Sequence, residues 1–263
     1  MRGNFLTPAT DNRRTDGKIH VTDLTSRNLT EWAVGGWRYP MKIGNWIHAG
    51  LEHQEYDVPV AREVDVEYDG VVGRVDVVRR DLKVDYIVDY KTTDFASKLF
   101  EYWKGDTFVY LPAVYSLQLS HYHRIMKKSG MLNRRTLYVI RFLKRHTASK
   151  APKWVEEIDP DKVPDSIQIL RDPAGDVYGL DVVVHPADCM CKKCVKGGIY
   201  PKGVAFDELE EDIARLKPYL QKVVAAYVAR DAEAVAALAA AAPEASRYAR
   251  YDTDVWSVGQ EEN

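Results

Sequence analysis

Cysteine is scarce in this 263-residue chain: three residues, all between Cys189 and Cys194. That excludes a disulfide framework, and thiols so closely spaced point to reduced side chains or metal ligands. Long apolar runs are missing too. No stretch approaches the roughly twenty residues that cross a bilayer. The opening MRGNFLTPATDNRRTDG is polar and carries no signal-peptide core. No membrane association and a cytoplasmic location are therefore expected. There is no internal repeat, which excludes a solenoid. Neither sign of charge dominates: 37 Lys+Arg face 39 Asp+Glu. What is present, 46% hydrophobic and 29% charged residues, suits a globular protein of one large domain, or one domain with an appendage.

The near-neutral total conceals a division. Residues 1–150 carry 24 basic and 18 acidic side chains, and residues 151–263 carry 13 and 21. A basic half can face a polyanion, so nucleic acid is a candidate partner for the first part. Ordinary surface charge explains the same imbalance.

Residues 1–17 read as a flexible start. Around Ile19 to Gly35, a short extended piece enters a helix that Asp23, Thr25 or Ser26 can cap. Ile43 to His53 has helical spacing, with His48 on one face. Three alternating segments follow, at Val58–Tyr68, Val71–Arg79 and Asp85–Thr92. Asp69-Gly70 supplies a tight turn between the first two, so an antiparallel meander is expected. Phe108–Met126 reads as a helix whose regular part starts at Pro112. Arg135–Leu143, Lys153–Ile158 and Tyr178–His185 are further strand candidates. Apolar residues from Phe206 to Tyr227 recur at three- and four-residue steps, predicting a long amphipathic helix. A second, Ala-rich helix follows from Asp231 to near Pro243. The expected domains are a core over 18–200, which includes a Cys-containing segment 185–198, a helical extension over 201–245, and a polar tail over 246–263.

Chemistry concentrates between Gly73 and Lys91. Asp76 lies in GRVD, and Asp89 and Lys91 lie in IVDYKTT. On a strand Asp89 and Lys91 share a face, with Tyr90 opposite. A hairpin can bring Asp76 beside Asp89, making a hard-oxygen site for magnesium or manganese. Two close carboxylates repel unless a cation or proton lies between them, and an adjacent lysine can stabilise charge on phosphate. The pattern suits phosphodiester hydrolysis. A surface strand with a structural Asp–Lys pair is the plain alternative for the tripeptide by itself. Glu63 is read as structural or surface rather than as a ligand. His121 and His123 are read as nucleic-acid contacts at most.

The ordered set, His48 in GNWIHAGLE, Asp76, Asp89 and Lys91, then Gln118 and Tyr122 in SLQLSHY, resembles the RecB-like exonuclease branch of the PD-(D/E)xK nuclease superfamily. That branch includes CRISPR-associated RecB-like exonucleases and phage exonucleases. The resemblance covers about residues 45–125. It implies an α/β (α+β) fold with a restriction-endonuclease-like core, a central mixed sheet flanked by helices, here with a C-terminal helical extension. It implies His48, Asp76, Asp89 and the Tyr90 backbone carbonyl as ligands of Mg or Mn, and Lys91 as the catalytic lysine. Gln118 and Tyr122 would steady the lysine and the DNA strand. The implied activity is a metal-dependent DNA exonuclease in recombination, repair or phage DNA processing, in the host cytoplasm if phage-encoded. Implied partners are DNA and a strand-annealing or recombination protein. Ring assembly, a homo-oligomer, is left open. A structure-guided endonuclease and a non-catalytic nucleic-acid-binding module on the same fold are the rival readings.

The cysteines form a second candidate site. Cys191-x-x-Cys194 has the spacing of a metal knuckle, Cys189 precedes it by two residues, and His185 can supply a fourth ligand for a Cys3His zinc site. Some of the resembling nucleases clamp an iron–sulfur cluster with one early cysteine and three late ones. The early segment HVTDLTSRN is similar here, yet it carries no cysteine, and the C-x-C-x2-C spacing differs. A standard four-cysteine cluster within one chain is thereby excluded. Zinc or another structural metal is favoured, a metal-free turn comes next, and an unusual cluster last.

Overall fold

The computed structural model describes residues 16–33, 60–93, 108–111, 113–144, 166–196, 201–250 and 254–257. The expected helix around His48 and the strand candidate Lys153–Ile158 lie outside the described residues.

The described part is a mixed α/β structure built on a seven-stranded sheet. Strand β1 (Ile19–His20) leads directly into helix α1 (Val21–Leu24), and α2 (Leu29–Ala33) follows. Asp23 caps the turn from inside, its Oδ2 accepting the His20 backbone N–H at 2.7 Å. Strands β2 (Val60–Tyr68), β3 (Val71–Arg80) and β4 (Val84–Thr93) form the expected antiparallel meander. Asp69 and Gly70 both take positive φ, 52° and 70°, as a tight hairpin turn requires. Helix α3 (Ala113–Lys128) then crosses to strand β6 (Arg135–Lys144), which lies parallel to β4 over ten residue pairs. The helix stops at Gly130, whose φ is 75°. The Met131 N–H returns to the Met126 carbonyl at 2.8 Å, a glycine-terminated helix end. Strands β7 (Ile167–Arg171) and β8 (Val177–Val184) complete the sheet antiparallel to β6. The strand order is β1-β3-β4-β6-β8-β7, with β2 on the outer edge of β3.

One expectation needs correcting. Phe108–Leu111 is strand β5, not the first turn of a helix. It pairs antiparallel with β9 (Asp254–Ser257), inside the expected polar tail. Phe-Val-Tyr has strand rather than helix preference, and its partner lies far along the chain, beyond any local pattern. The same tail contains the short helix α7 (Arg247–Arg250), in which Ala249 is fully buried.

The C-terminal helices pack on the core. Knuckle helix α4 (Lys192–Val195) is followed by α5 (Phe206–Val228) and α6 (Ala232–Ala240), the latter capped by the Asp231 side chain. Ile213, Leu216, Leu220 and Val223 of α5 join the main core with Ile19, Val71 and Tyr122. Burying each such side chain contributes about 1.5–3 kcal/mol. Buried Arg124 of α3 clasps Glu210 of α5 through two bonds, at 2.8 and 2.7 Å. That pair fixes the long helix against the one that carries Gln118 and Tyr122. No helix among the described residues is long and apolar enough to cross a membrane.

Candidate active site and a second metal-ligating group

Strands β3 and β4 are hydrogen-bonded neighbours from Arg80↔Asp85 to Val77↔Val88, and there the pairing stops. The next position in that register would set Asp76 against Asp89. Instead the Tyr90 backbone N–H donates to Asp76 Oδ2 at 2.6 Å. A carboxylate thus takes a bond that the ladder gives up, and the two strands part with an acid on each. Beyond the parting, β1 takes the vacated edge of β3 at Val71 and Val72.

The irregularity reaches β2. Glu63 stands opposite Asp76 in the register, yet that pair is missing from an otherwise continuous ladder. Glu63 also has a φ of 46°, uncommon for a non-glycine residue. The alternation of β3 slips here. Val71, Val75 and Val78 all enter the main core, although 75 and 78 are three apart, and Val77 joins the small cluster on the other face. Glu63 Oε2 lies 3.8 Å from Arg74 Nε, which agrees with its reading as a structural residue.

A chain of polar contacts runs from the strands into α3. Lys91 Nζ is 2.5 Å from Asp89 Oδ2 and donates to Gln118 Oε1 at 3.1 Å. Gln118 Nε2 donates to the Tyr122 hydroxyl at 3.0 Å. Gln118 and Tyr122 are one helical turn apart, so both face the same strand ends. Burial alone pushes the Lys91 ammonium pKa down. The Asp89 carboxylate, then Asp76, outweigh that effect and hold it above the usual lysine value. Lys91 therefore stays charged. The Tyr90 ring lies with Val77, Val88, Val139 and Leu143 on the opposite face, as alternation predicts.

The structure thus brings Asp76, Asp89, Lys91, Gln118 and Tyr122 together, while His48 lies outside the described residues. Two further residues belong to the arrangement. The Tyr115 ring sits 5.2 Å from Lys91 Nζ, and its place three residues before Gln118 is a helical-spacing signal that could have found it. Gly73 lies under Tyr122, where an added Cβ would stand 2.6 Å from Tyr122 Cε1. His121 and His123 correct the sequence reading. They are 2% and 5% exposed, and His123 Nδ1 is 2.9 Å from the Tyr138 hydroxyl. Burial lowers their pKa values to about 3 and about 4, so they are neutral core groups and not nucleic-acid contacts.

The second group lies beyond β8. His185 forms a bridge with Lys202, its N–H bonding the Pro201 carbonyl at 2.8 Å and its carbonyl accepting Gly203 N–H at 2.7 Å. The described residues that follow, 186–196, fold back on His185. Nδ1 of His185 lies 3.1 Å from Cys194 Sγ, 3.4 Å from Cys189 Sγ and 3.6 Å from Cys191 Sγ. A tetrahedral zinc with its ordinary bond lengths places nitrogen and sulfur about 3.5 Å apart. The three nitrogen–sulfur distances fit that geometry, and all four ligand atoms lie within 4.8 Å of one another. They form a group that could hold a metal ion such as zinc.

Local electrostatics favour the ligating forms of Cys191 and His185 and work against that of Cys194. Cys191 caps α4, accepting the Cys194 N–H at 3.4 Å, and that bond is the first cause of a thiol pKa lowered to about 7. Burial raises the Cys194 value, against the pull of Lys202. Lys202 Nζ lies 3.1 Å from Cys194 Sγ. No sequence pattern marked this lysine. His185 is held near a pKa of about 4 by burial, then by Lys202, Arg135 and Lys193, so its ring is neutral and available as a ligand near pH 7.

No family model matches the chain. No curated protein matches it. A solved structure, described as the crystal structure of SSO0001, is similar over 77% of this chain and 74% of that chain, with 14% identity and a TM-score of 0.37.

Proposed function

We propose that the chain is a metal-dependent DNA exonuclease of the RecB-like type, hydrolysing phosphodiester bonds in DNA recombination, repair or phage DNA processing. One observation carries the reading: Asp76 and Asp89 both act on Lys91 where β3 and β4 part, and Lys91 is tied through Gln118 to Tyr122. A purely structural Asp–Lys pair would not call for a glutamine and a tyrosine from a helix far along the chain.

The donor set suits Mg or Mn, since both acids offer hard oxygen ligands. Asp76, Asp89 and the Tyr90 carbonyl would hold the ion, with His48 as a further ligand. When bound, the ion would supply Lewis-acid stabilisation of charge on the phosphate oxygens. Lys91, kept protonated by the two acids, presents a fixed positive charge to the same oxygens. Gln118 limits the swing of the Lys91 ammonium, and Tyr122 in turn orients Gln118. The cysteine group serves a different end: zinc there would clamp the loop after β8 to the sheet. A cytoplasmic location and a strand-annealing or recombination partner belong to the same proposal.

The test is digestion of end-labelled linear and closed circular DNA with magnesium or manganese, with Lys91→Ala and Asp89→Asn beside wild type. Loss of linear DNA with intact circles, abolished in both variants, is expected. Cut circles would make the protein an endonuclease. Equal digestion by wild type and Lys91→Ala would refute the site.

A further inference from the structure

A cavity of about 340 Å³ opens beside the cysteine group, at the C-terminal end of α3. Its size falls within the range of small-ligand pockets. Lys127, Arg134 and Arg135 line it, against one acid, Asp188. All three cations are exposed. Among the described residues none of them has a carboxylate within ion-pair distance. Arg134 is anchored by its Nη1, 3.3 Å from the Asp81 carbonyl, and Lys127 lies over the Phe206 ring at 5.3 Å. Three cations against one acid leave a surplus of positive charge around the concavity, and an anion relieves it. Cys189 and Cys191 of the metal-ligating group also line it, and its apolar part is Pro186 and Met190, the latter 81% exposed.

We propose that this cavity binds a nucleotide, its phosphate facing Lys127, Arg134 and Arg135 and its base lying against Pro186 and Met190. Guanidinium groups match phosphate oxygens in pairs, and the proline ring and the adaptable methionine thioether give a base an apolar, sequence-blind contact. The site is separate from the Asp76–Asp89 centre: Lys127 lies nine residues beyond Gln118 on α3, about 14 Å along the helix axis. It goes beyond the nuclease reading and does not need it. The nucleotide can be free or can be the end of a strand, since both offer the same phosphate and base.

The experiment is calorimetric titration of the purified full-length chain, without added magnesium or manganese. The titrants are 5′-dAMP, deoxyadenosine and a 5′-phosphorylated four-nucleotide strand. We expect 5′-dAMP to bind at least tenfold more tightly than deoxyadenosine. Arg134→Glu and Arg135→Glu should each weaken it at least tenfold, Met190→Asp should weaken it also, and Asp89→Asn should leave it unchanged. A strand that binds much more tightly than 5′-dAMP assigns the site to strand ends, and equal affinity assigns it to free nucleotide. No binding of either phosphate, equal binding of 5′-dAMP and deoxyadenosine, or indifference to both arginine changes overturns the proposal. Binding lost only in Asp89→Asn also overturns it, by placing the ligand at the other centre. Absence of DNA cleavage by wild type would instead count against the nuclease reading and leave this one standing.

Discussion

Gly73→Ala tests how the strand motif and the helix motif are joined. The new Cβ would stand 2.6 Å from Tyr122 Cε1, 3.2 Å from Tyr122 Cδ1 and 3.1 Å from Val21 Cγ2. Ordinary carbon contacts begin near 3.5 Å, so the ring must retreat by about 1 Å. Tyr122 is 4% exposed and bonded to Gln118, so it has little room to retreat. Overpacking of this kind costs about 1–3 kcal/mol. Read as a melting temperature, each kcal/mol is about 2–4 °C in a chain of this size. The displaced hydroxyl also releases Gln118, and with it Lys91. A 1 Å misplacement near reacting groups can cost up to about a hundredfold in rate. The assay is a double-mutant cycle in urea with Gly73→Ala, Tyr122→Ala and the pair. Because Tyr122→Ala removes the obstacle, Gly73→Ala should cost much less in that background, a coupling of about 1 kcal/mol or more. Additive effects, or a single Gly73→Ala variant with wild-type stability and cleavage, would refute the packing argument.

Two further expectations concern the second group and the buried histidines. Purified protein should contain close to one zinc per chain by elemental analysis, and Cys191→Ser or Cys194→Ser should lose it; metal-free preparations that keep wild-type thermal stability would sink the assignment. Stability should fall as pH drops from 6.5 towards 4, because His121 and His123 have native pKa values of about 3 and about 4. The unfolded chain binds those protons first, so the stabilisation is complete above pH 6.5 and is lost below it, on the order of 3 kcal/mol for His123. Urea midpoints across that range read the slope, and His121→Leu should flatten it; an unchanged slope in that variant would remove His121 from the account.

Much of the sheet was legible because its signals are local. Alternation and the Asp69-Gly70 turn defined the β2–β4 meander, and apolar steps of three and four residues defined α5. The acidic and basic residues of the candidate centre were legible for the same reason, since order and spacing carry them. Pairings between distant segments were not legible. Phe108–Leu111 is a strand because Asp254–Ser257 lies beside it, and strand β7 carries no strong alternation of its own. The burial of His121 and His123 also escaped, because a histidine beside a candidate site tyrosine reads locally as a contact. Only the packing of Phe206 at 5.0 Å from the His123 ring and the bond to Tyr138 show it to be core.

The parting of β3 and β4 follows from a conflict that the sequence contains but does not display. GRVDVV requires Val75 and Val78 in one core and Val77 in the other, which a regular two-residue period cannot satisfy. The strand resolves the conflict by a slip of its side-chain alternation at Asp76, with its register to β2 unchanged on either side and Glu63 opposite in a left-handed backbone. Once the ladder is broken, the Tyr90 N–H needs another acceptor, and Asp76 is the polar group at hand. The Val77↔Val88 register, carried one step on, already sets Asp76 against Asp89, on the face that carries Lys91. The register therefore places the acids, and the division of the valines between two cores explains why the ladder stops beside them. On this argument Val77→Thr, which keeps the shape but favours a wetter position, should loosen the junction, while Val75→Ile should leave the slip in place. Amide exchange at Tyr90 reads the difference: faster exchange in Val77→Thr than in Val75→Ile is expected, and equal rates would separate the slip from the valine pattern.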